Sequence, residues 1–308
     1  MKITILGAAG FIGTNLAIRL SKNNDVTVVD QNMIYFDNMK KLNLQLNYKV
    51  AQFSVNFDYD NLLKDTEVLY HLVSTTVPTT SNQHISEELM ANVVVTSKIL
   101  EGCVRNNVKK VVFISSGGTV YGKERFCPIK EDTITNPINS YGIQKLTIEK
   151  LLYLYNYLYN LDYRIIRLSN PYGPYQRPNG VLGVVTTFTY KALKNEEIVV
   201  YGDGSVIRDF IFIDDAIHGI LNIANGNGKY KLYNLGYGKG TSVNQVIQGI
   251  ENVLNKKLSV RYIDGRKADV PINYLDIGRY EADFGALNPV SLEEGIKKTV
   301  DFMVKNYE

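Results

Sequence analysis

Residues 7–13 read Gly7-Ala8-Ala9-Gly10-Phe11-Ile12-Gly13, between an apolar run ending at Leu6 and an amphipathic segment over 11–22. Three glycines at this spacing, after a strand and opening a helix, suit a tight turn whose backbone can be approached closely by a pyrophosphate. The N-terminus of the following helix then offers its oriented N–H groups to phosphate oxygens. Asp30 closes the next apolar run, Val26-Thr27-Val28-Val29-Asp30, 20 residues after Gly10. An acid at that distance can accept hydrogen bonds from an adenosine ribose. The competing reading is a plain strand–helix turn followed by a surface aspartate. A 2′-phosphate would meet Asp30 as a like charge, and the following Gln31 and Asn32 are uncharged, so the pattern favours NAD over NADP.

The rest of the first half repeats this alternation. Apolar runs near 68–73, 109–115 and 162–168 are rich in Val, Ile and Leu, and helix-like segments lie near 84–107 and 140–160. Strands alternating with helices predict an α/β fold with a doubly wound parallel sheet, a Rossmann arrangement. Five prolines and glycines fall between Pro171 and Gly180, which marks a loop. Beyond it, helices are predicted near 181–195, 214–225, 242–255 and 291–306, and short strands near 198–201, 210–213, 231–235 and 259–263. The expectation is a nucleotide-binding domain over 1–170 and a smaller lobe over 171–308, partly interleaved with the sheet. The run Leu151–Tyr159 reads as a helix end buried on several sides, with tyrosine tips reaching solvent.

Tyr141 and Lys145, in Ser140-Tyr141-Gly142-Ile143-Gln144-Lys145, share one helix face. A phenol of pKa ~10 is a poor base at neutral pH, and bringing it near ~7 needs about 4 kcal/mol of differential stabilisation. A neighbouring ammonium and a nicotinamide cation in a partly dry site can supply that. The tyrosine could then exchange a proton with a hydroxyl group. Taken alone, Tyr-x-x-x-Lys is a common surface-helix pattern, more so in a chain with 22 tyrosines; the upstream glycine loop gives it meaning.

Composition closes off other classes. The net charge of +3, from 34 basic and 31 acidic residues, does not suggest a nucleic-acid partner. Two cysteines and three scattered histidines do not suggest a metal centre or a disulfide framework. The first residues lack the apolar region and cleavage site of a signal peptide, and no run of about 18 apolar residues is present. The expectation is a cytoplasmic protein without a membrane partner.

The chain resembles the extended short-chain dehydrogenase/reductase superfamily, and within it the NAD-dependent nucleotide-sugar epimerases and dehydratases, most of all the UDP-hexose 4-epimerase branch. The motifs that carry the resemblance recur in order. They are the loop at 7–13, His71-Leu72-Val73-Ser74, Asn92, Ser115-Ser116, Tyr141 with Lys145, Arg167 through Pro174, Tyr201-Gly202-Asp203-Gly204-Ser205 leading to Arg208-Asp209-Phe210, Tyr233-Asn234-Leu235-Gly236, and Arg266 with Asp269. The resemblance implies that Gly7, Gly10, Phe11, Ile12, Gly13, Asp30, Gln31, Asn32, Leu72, Ser74, Asn92, Ser115, Tyr141, Lys145 and Pro171 line the NAD site. It implies that Ser116, Tyr141 and Lys145 are catalytic, and that Ser116, Tyr141, Asn170, Tyr201, Arg208, Arg266, Asp269 and Asn273 meet a UDP-linked sugar. It further implies a homodimer joined through a four-helix bundle.

Two departures from the family pattern bear on the reaction. The hydroxyl residue expected four positions before Tyr121 is Gly117, so Ser116 is the substitute and Thr119 the second candidate. The acidic pair that serves 4,6-dehydration is replaced by Gly117 and Gly118. The implied activity is 4-epimerisation of a UDP-hexose, UDP-glucose to UDP-galactose, through a 4-keto sugar. Asn273, seven residues after Arg266, stands where some epimerases carry a bulky tyrosine, which extends the expectation to N-acetylated hexoses. The alternative with the same residues is a nucleotide-sugar 4-ketoreductase; a non-catalytic NAD-binding sensor is a third reading.

Overall fold

The computed structural model describes residues 1–123, 126–178, 183–265 and 270–307. The first half carries strands β1 (Lys2–Leu6), β2 (Asp25–Asp30), β3 (Asn47–Val50), β4 (Val68–His71), β5 (Lys110–Ser116) and β6 (Asp162–Leu168). Its helices are α1 (Phe11–Leu20), α2 (Asp37–Lys40), α3 (Tyr59–Leu63), α4 (Ile85–Leu89), α5 (Val95–Arg105) and α6 (Ser140–Tyr159). The second half carries β7 (Asn170–Tyr172), β8 (Ile198–Tyr201), β9 (Ile207–Arg208), β10 (Phe210–Phe212), β11 (Leu232–Leu235), β12 (Thr241–Ser242), β13 (Val260–Ile263) and β14 (Ile272–Asn273). Its helices are α7 (Val184–Leu193), α8 (Ile213–Asn225), α9 (Val243–Leu254), α10 (Gly278–Phe284) and α11 (Leu292–Tyr307).

Seven strands form one sheet in the order β11-β6-β5-β4-β1-β2-β3. β1 runs parallel to both β2 and β4, with Leu6 level with Val29 on one side and His71 on the other. The order reverses direction between β1 and β4, the switch point at which doubly wound sheets bind ligands outside the carboxyl ends of their strands. Burial on both faces explains why β1, β2, β4, β5 and β6 read as nearly unbroken apolar runs. Leu6, Val29, Leu69, Val111, Phe113 and Ile165 meet Ile99, Leu100, Ile148 and Leu152 from α5 and α6 in one core.

Two compact units emerge: residues 1–120, 135–167 and 230–232, and residues 121–134, 168–229 and 233–308. Segment 121–134 thus belongs to the second unit, although the sequence reading put it in the first. In the second unit β7 pairs with β10, β8 with β13, and β9 lies between β12 and β14. Among the described residues no helix is long and apolar enough to cross a membrane.

Two helical segments differ from the sequence reading. The stretch expected as one helix over 84–107 is α4, a π-helical turn at Met90–Val94, and α5. The cause lies in Asn92, whose side-chain amide donates to the Glu88 carbonyl at 3.0 Å and competes for an acceptor the regular ladder uses. The second difference is in Leu151–Tyr159. Leu152 is buried, but Tyr153, Leu154, Tyr157, Leu158 and Tyr159 are exposed, Tyr157 at 76%. A 20-residue helix offers the sheet a single stripe, and this run has more apolar side chains than that stripe holds.

Candidate active site

The glycine loop is shaped by contacts that leave no room for side chains. Gly7 has φ +77°, and a Cβ there would lie 3.1 Å from the Val73 backbone nitrogen. A Cβ on Gly13 would come within 2.6 Å of Ala8 and of the Gly7 carbonyl, so α1 seats directly on the strand end. Gly10 is the N-cap of α1 and supplies no side-chain cap, so the first N–H groups of the helix are open to an anion. Asp30 Oδ2 accepts from the Ala9 N–H at 3.0 Å and Oδ1 from the Gln31 N–H at 2.8 Å. The half-buried carboxylate therefore braces the loop and keeps lone pairs for hydroxyl donors. These features fit a dinucleotide: a cradle closed to side chains, an uncapped helix start, and an acid at the end of β2.

The other cofactor candidates divide. Phe11 and Ile12 open α1 half-buried, Gln31 is exposed, and Leu72 is half-buried beside Gly7. Asn32 caps the 3₁₀ turn over 33–36 by accepting from the Ile34 N–H. Ser74 is exposed and donates to the Thr76 carbonyl. Asn92, expected at the cofactor, has its side chain committed elsewhere. Its Oδ1 accepts from the Thr75 N–H at 2.9 Å, and its Nδ2 donates to Thr75 Oγ1 and Gln144 Oε1, both at 2.8 Å, besides the Glu88 carbonyl. It acts on the loop after β4, and the loop faces the cofactor cradle. Ser115 is likewise held: the residue is 3% exposed and its hydroxyl donates to Glu149 at 2.5 Å.

The pair on α6 is brought together as the spacing implied. Asn139 caps the helix by accepting from the Gly142 N–H at 2.7 Å, which puts Tyr141 in the first turn and Lys145 in the second. Lys145 is 5% exposed; its Nζ donates to the Ile114 carbonyl at 2.9 Å and lies 4.8 Å from the Phe113 ring and 5.5 Å from the Tyr141 ring. Burial lowers its pKa to about 8, against a raising pull from Glu149. Burial pushes the Tyr141 phenol up to about 12. In the protein alone the neutral phenol is therefore favoured. Ser116 ends β5 half-buried, while the Thr119 hydroxyl is buried without a partner, on the residue whose carbonyl crowds Gly142.

Sequence reasoning missed the polar layer beneath this pair. Glu149 takes two bonds from Arg167, at 3.1 and 2.7 Å, besides the one from Ser115, and both ions are almost wholly buried. Glu88, also buried, accepts from Ser140 at 2.6 Å and from Gln144 at 3.1 Å. Thr76 donates to Gln144 as well, at 3.2 Å, so the loop after β4 is tied to the start of α6. His71 pairs with Thr96 at 2.8 Å. Since Thr96 donates to the Asn92 carbonyl at 2.5 Å, His71 Nε2 carries the proton and Nδ1 is left buried without a partner. The available signals were a charge inside an apolar strand, Arg167 between Ile166 and Leu168, and acids on helix faces otherwise read as core.

In the second unit Asn170 is fixed by two bonds to the Asp209 carbonyl, from its backbone N at 3.0 Å and its Nδ2 at 2.9 Å. Pro171 follows it in β7, half-buried. Arg208 donates to the carbonyls of Ile207 and Val270 at 2.8 and 2.6 Å and stands in register with Asn273. Those two predicted substrate residues are therefore neighbours, with Asn273 buried at 3%. Tyr201 is exposed at the end of β8. The Asp209 carboxylate, fully buried, receives N–H groups from Tyr237, Gly238 and Leu275, and burial pushes its pKa up to about 6. Arg266 and Asp269 lie outside the described residues.

Comparison with known proteins agrees with this layout. Residues 3–236 match the NAD dependent epimerase/dehydratase family. The UDP-glucose 4-epimerase of Mycolicibacterium smegmatis is 32% identical over 312 residues, covering 98% of each chain. Among solved structures, the UDP-glucose 4-epimerase of Thermotoga maritima with UDP-glucose superposes with a TM-score of 0.91 at 31% identity, covering 100% of both chains. The UDP-glucuronic acid 4-epimerase of Bacillus cereus, in complex with UDP-glucuronic acid and NAD, gives 0.89 at 27% identity over 99% of each chain. The chain belongs to the NAD dependent epimerase/dehydratase family, and its cofactor is NAD.

The buried histidine sets a pH dependence of stability. Burial, followed by the Lys145 charge, lowers the His71 pKa from 6.5 to about 3. Between those values the unfolded chain binds a proton that the folded chain refuses, so stability is lost as pH falls below 6.5. By pH ~5 the contribution is about 2 kcal/mol. The urea midpoint of wild type should drop more steeply from neutral pH to pH ~5 than that of His71→Gln, which keeps a donor toward Thr96 and does not titrate. Equal slopes would contradict this account.

Proposed function

We propose that the protein interconverts UDP-hexoses at C4, UDP-glucose with UDP-galactose, and accepts their N-acetylated forms. The observation that carries the reading is the Tyr141–Lys145 pair on one face of α6, at the carboxyl edge of a sheet whose first turn is a dinucleotide cradle. NAD supplies a reversible hydride acceptor for C4. Gly7, Gly10 and Gly13 would leave room for its pyrophosphate at the start of α1, and Asp30 would take its adenosine ribose. Asn92 and Ser115 support the site through the loop and the helix rather than by side-chain contact.

The chain's own part is proton handling and substrate binding. Tyr141 takes the 4-hydroxyl proton and later returns it, with the sugar passing through a 4-keto form. Lys145, desolvated and aimed by the Ile114 carbonyl, supplies one positive charge that favours the phenolate. Ser116 orients the 4-hydroxyl, and the unpartnered Thr119 hydroxyl is the second candidate for that bond. Asn170 and Arg208, with Arg266, bind the diphosphate; Asp269 takes the nucleotide ribose; Tyr201 lines the nucleotide and Asn273 the hexose. An arginine fork suits phosphate oxygens better than a lysine would. We place the reaction in the cytoplasm, where nucleotide sugars and NAD are both present.

Purified protein incubated with UDP-galactose and no added dinucleotide should yield UDP-glucose, and the N-acetylated pair should interconvert likewise. Tyr141→Phe should keep its fold and lose turnover by roughly 100-fold or more, since only the proton-transfer group is removed. Activity that appears only with added reduced dinucleotide, consumed in step with product, would point to a ketoreductase. More than about a tenth of the wild-type rate in Tyr141→Phe would reject Tyr141 as the base.

We also propose that the exposed apolar face of α6 pairs with a second copy of the chain. Ile143, Leu154, Tyr157 and Leu158 are each more than 40% exposed there, and Ile85 and Met90, near the start of the preceding helical segment, are about half exposed. Exposed apolar area of this kind on long helices is what an isologous contact covers. Light scattering at micromolar concentration should give twice the chain mass, and a monomer mass would sink the idea.

A further inference from the structure

Tyr141, Lys145 and Glu149 lie at successive i, i+4 positions of α6 and so share one face. The first two face the reaction proposed above; the third has no part in it. Glu149 is 4% exposed, and its carboxylate is fixed from two strands, by Ser115 at the end of β5 and by Arg167 near the end of β6. A buried ion pair is costly to desolvate and often adds no net stability, so its presence calls for another use. Nothing in the reaction needs an acid here, and a methionine–leucine contact would pack α6 on the sheet as well.

We infer that Glu149 is a positioning residue for the Tyr141–Lys145 pair, its carboxylate held by Ser115 and Arg167 so that its negative charge supports the Lys145 ammonium from one turn away. Among the described residues, these groups face or act on that ammonium. From α6 they are Tyr141 and Glu149; from β5, the Phe113 ring and the Ile114 carbonyl; from β4, His71, which is neutral. Of these only Glu149 carries a negative charge, and it opposes the burial that would otherwise strip Lys145 of its proton. Arg167 in turn holds the Glu149 carboxylate in place with two bonds, at 3.1 and 2.7 Å. The device thus separates two demands: Lys145 stays charged, and it stays pointed at the phenol.

This inference rests on Tyr141 as the base, and its test keeps the two apart. The Lys145 ε-methylene carbon shift, followed by NMR in cofactor-free protein, should titrate near pH 8 in wild type. In Glu149→Gln the midpoint should fall by at least about half a unit, a threefold loss of proton affinity. The alkaline limb of kcat/KM, which reports loss of the ammonium, should move the same way. If Glu149→Gln fails to fold because Arg167 is left unpaired, Glu149→Leu/Arg167→Met removes both charges together and should show the same direction, since Glu149 is the partner that acts on Lys145. A merely structural role would lower stability or rate and leave both midpoints in place. Unmoved midpoints alongside an inactive Tyr141→Phe would overturn this inference alone, whereas an active Tyr141→Phe would overturn the reading beneath it.

Discussion

A lysine ammonium held out of water at the carboxyl edge of a parallel sheet is the constraint on which the catalytic unit depends. Leaving an ion in a dry site is expensive unless dipoles and counter-charge surround it. Here the Ile114 carbonyl, two aromatic rings and the Glu149 charge do that, and even so burial brings Lys145 down to about 8. The same dry environment raises the Tyr141 phenol to about 12. Burial thus pushes each member of the pair toward its neutral form, and in the proposed reaction a further cation would favour the Tyr141 phenolate.

This arrangement has a consequence for idle protein. With the phenol neutral, Tyr141 is not a base in the protein without its cofactor. The glycine cradle and Tyr141 belong to one unit and to one edge of one sheet, which is why a turn over 7–13 and a helix start at 140 can cooperate across more than a hundred residues of sequence. Between them the polar chain Thr76–Gln144–Glu88–Ser140, with Asn92 at its centre, ties the loop after β4 to the first turn of α6. The second unit uses a comparable device: Asp209 gathers three backbone N–H groups on its carboxylate, while its own carbonyl anchors Asn170.

Much of this was legible in the residues, and the omissions have physical causes. Strands buried on both faces announce themselves as apolar runs, so β1, β2, β4, β5 and β6 were found where the structure has them. The edge strand β3, Asn47-Tyr48-Lys49-Val50, is largely exposed and carries no such run. The π turn at Met90–Val94 could not be read from periodicity, because it follows from where the Asn92 amide finds its acceptors in three dimensions. The buried partners of Ser115 and Asn92, Glu149 for the one and Glu88 and Gln144 for the other, could not be read from motif position. Glu149 and Gln144 were within reach as continuations of the Tyr141–Lys145 face and its neighbour; their roles needed the partners, Arg167 from β6 and Glu88 from α4, that only the fold brings to them.

Cofactor binding is proposed to make Tyr141 a base. The direct measurement is the ionisation of Tyr141, followed by tyrosinate absorbance against pH with Tyr141→Phe subtracted, in protein with and without saturating NAD. Without NAD the Tyr141 signal should appear only toward pH 12. With NAD it should appear several units lower, toward neutrality, as a second positive charge in a partly dry site requires. An identical titration in both states would contradict the claim that Tyr141 becomes the base only when the dinucleotide is in place.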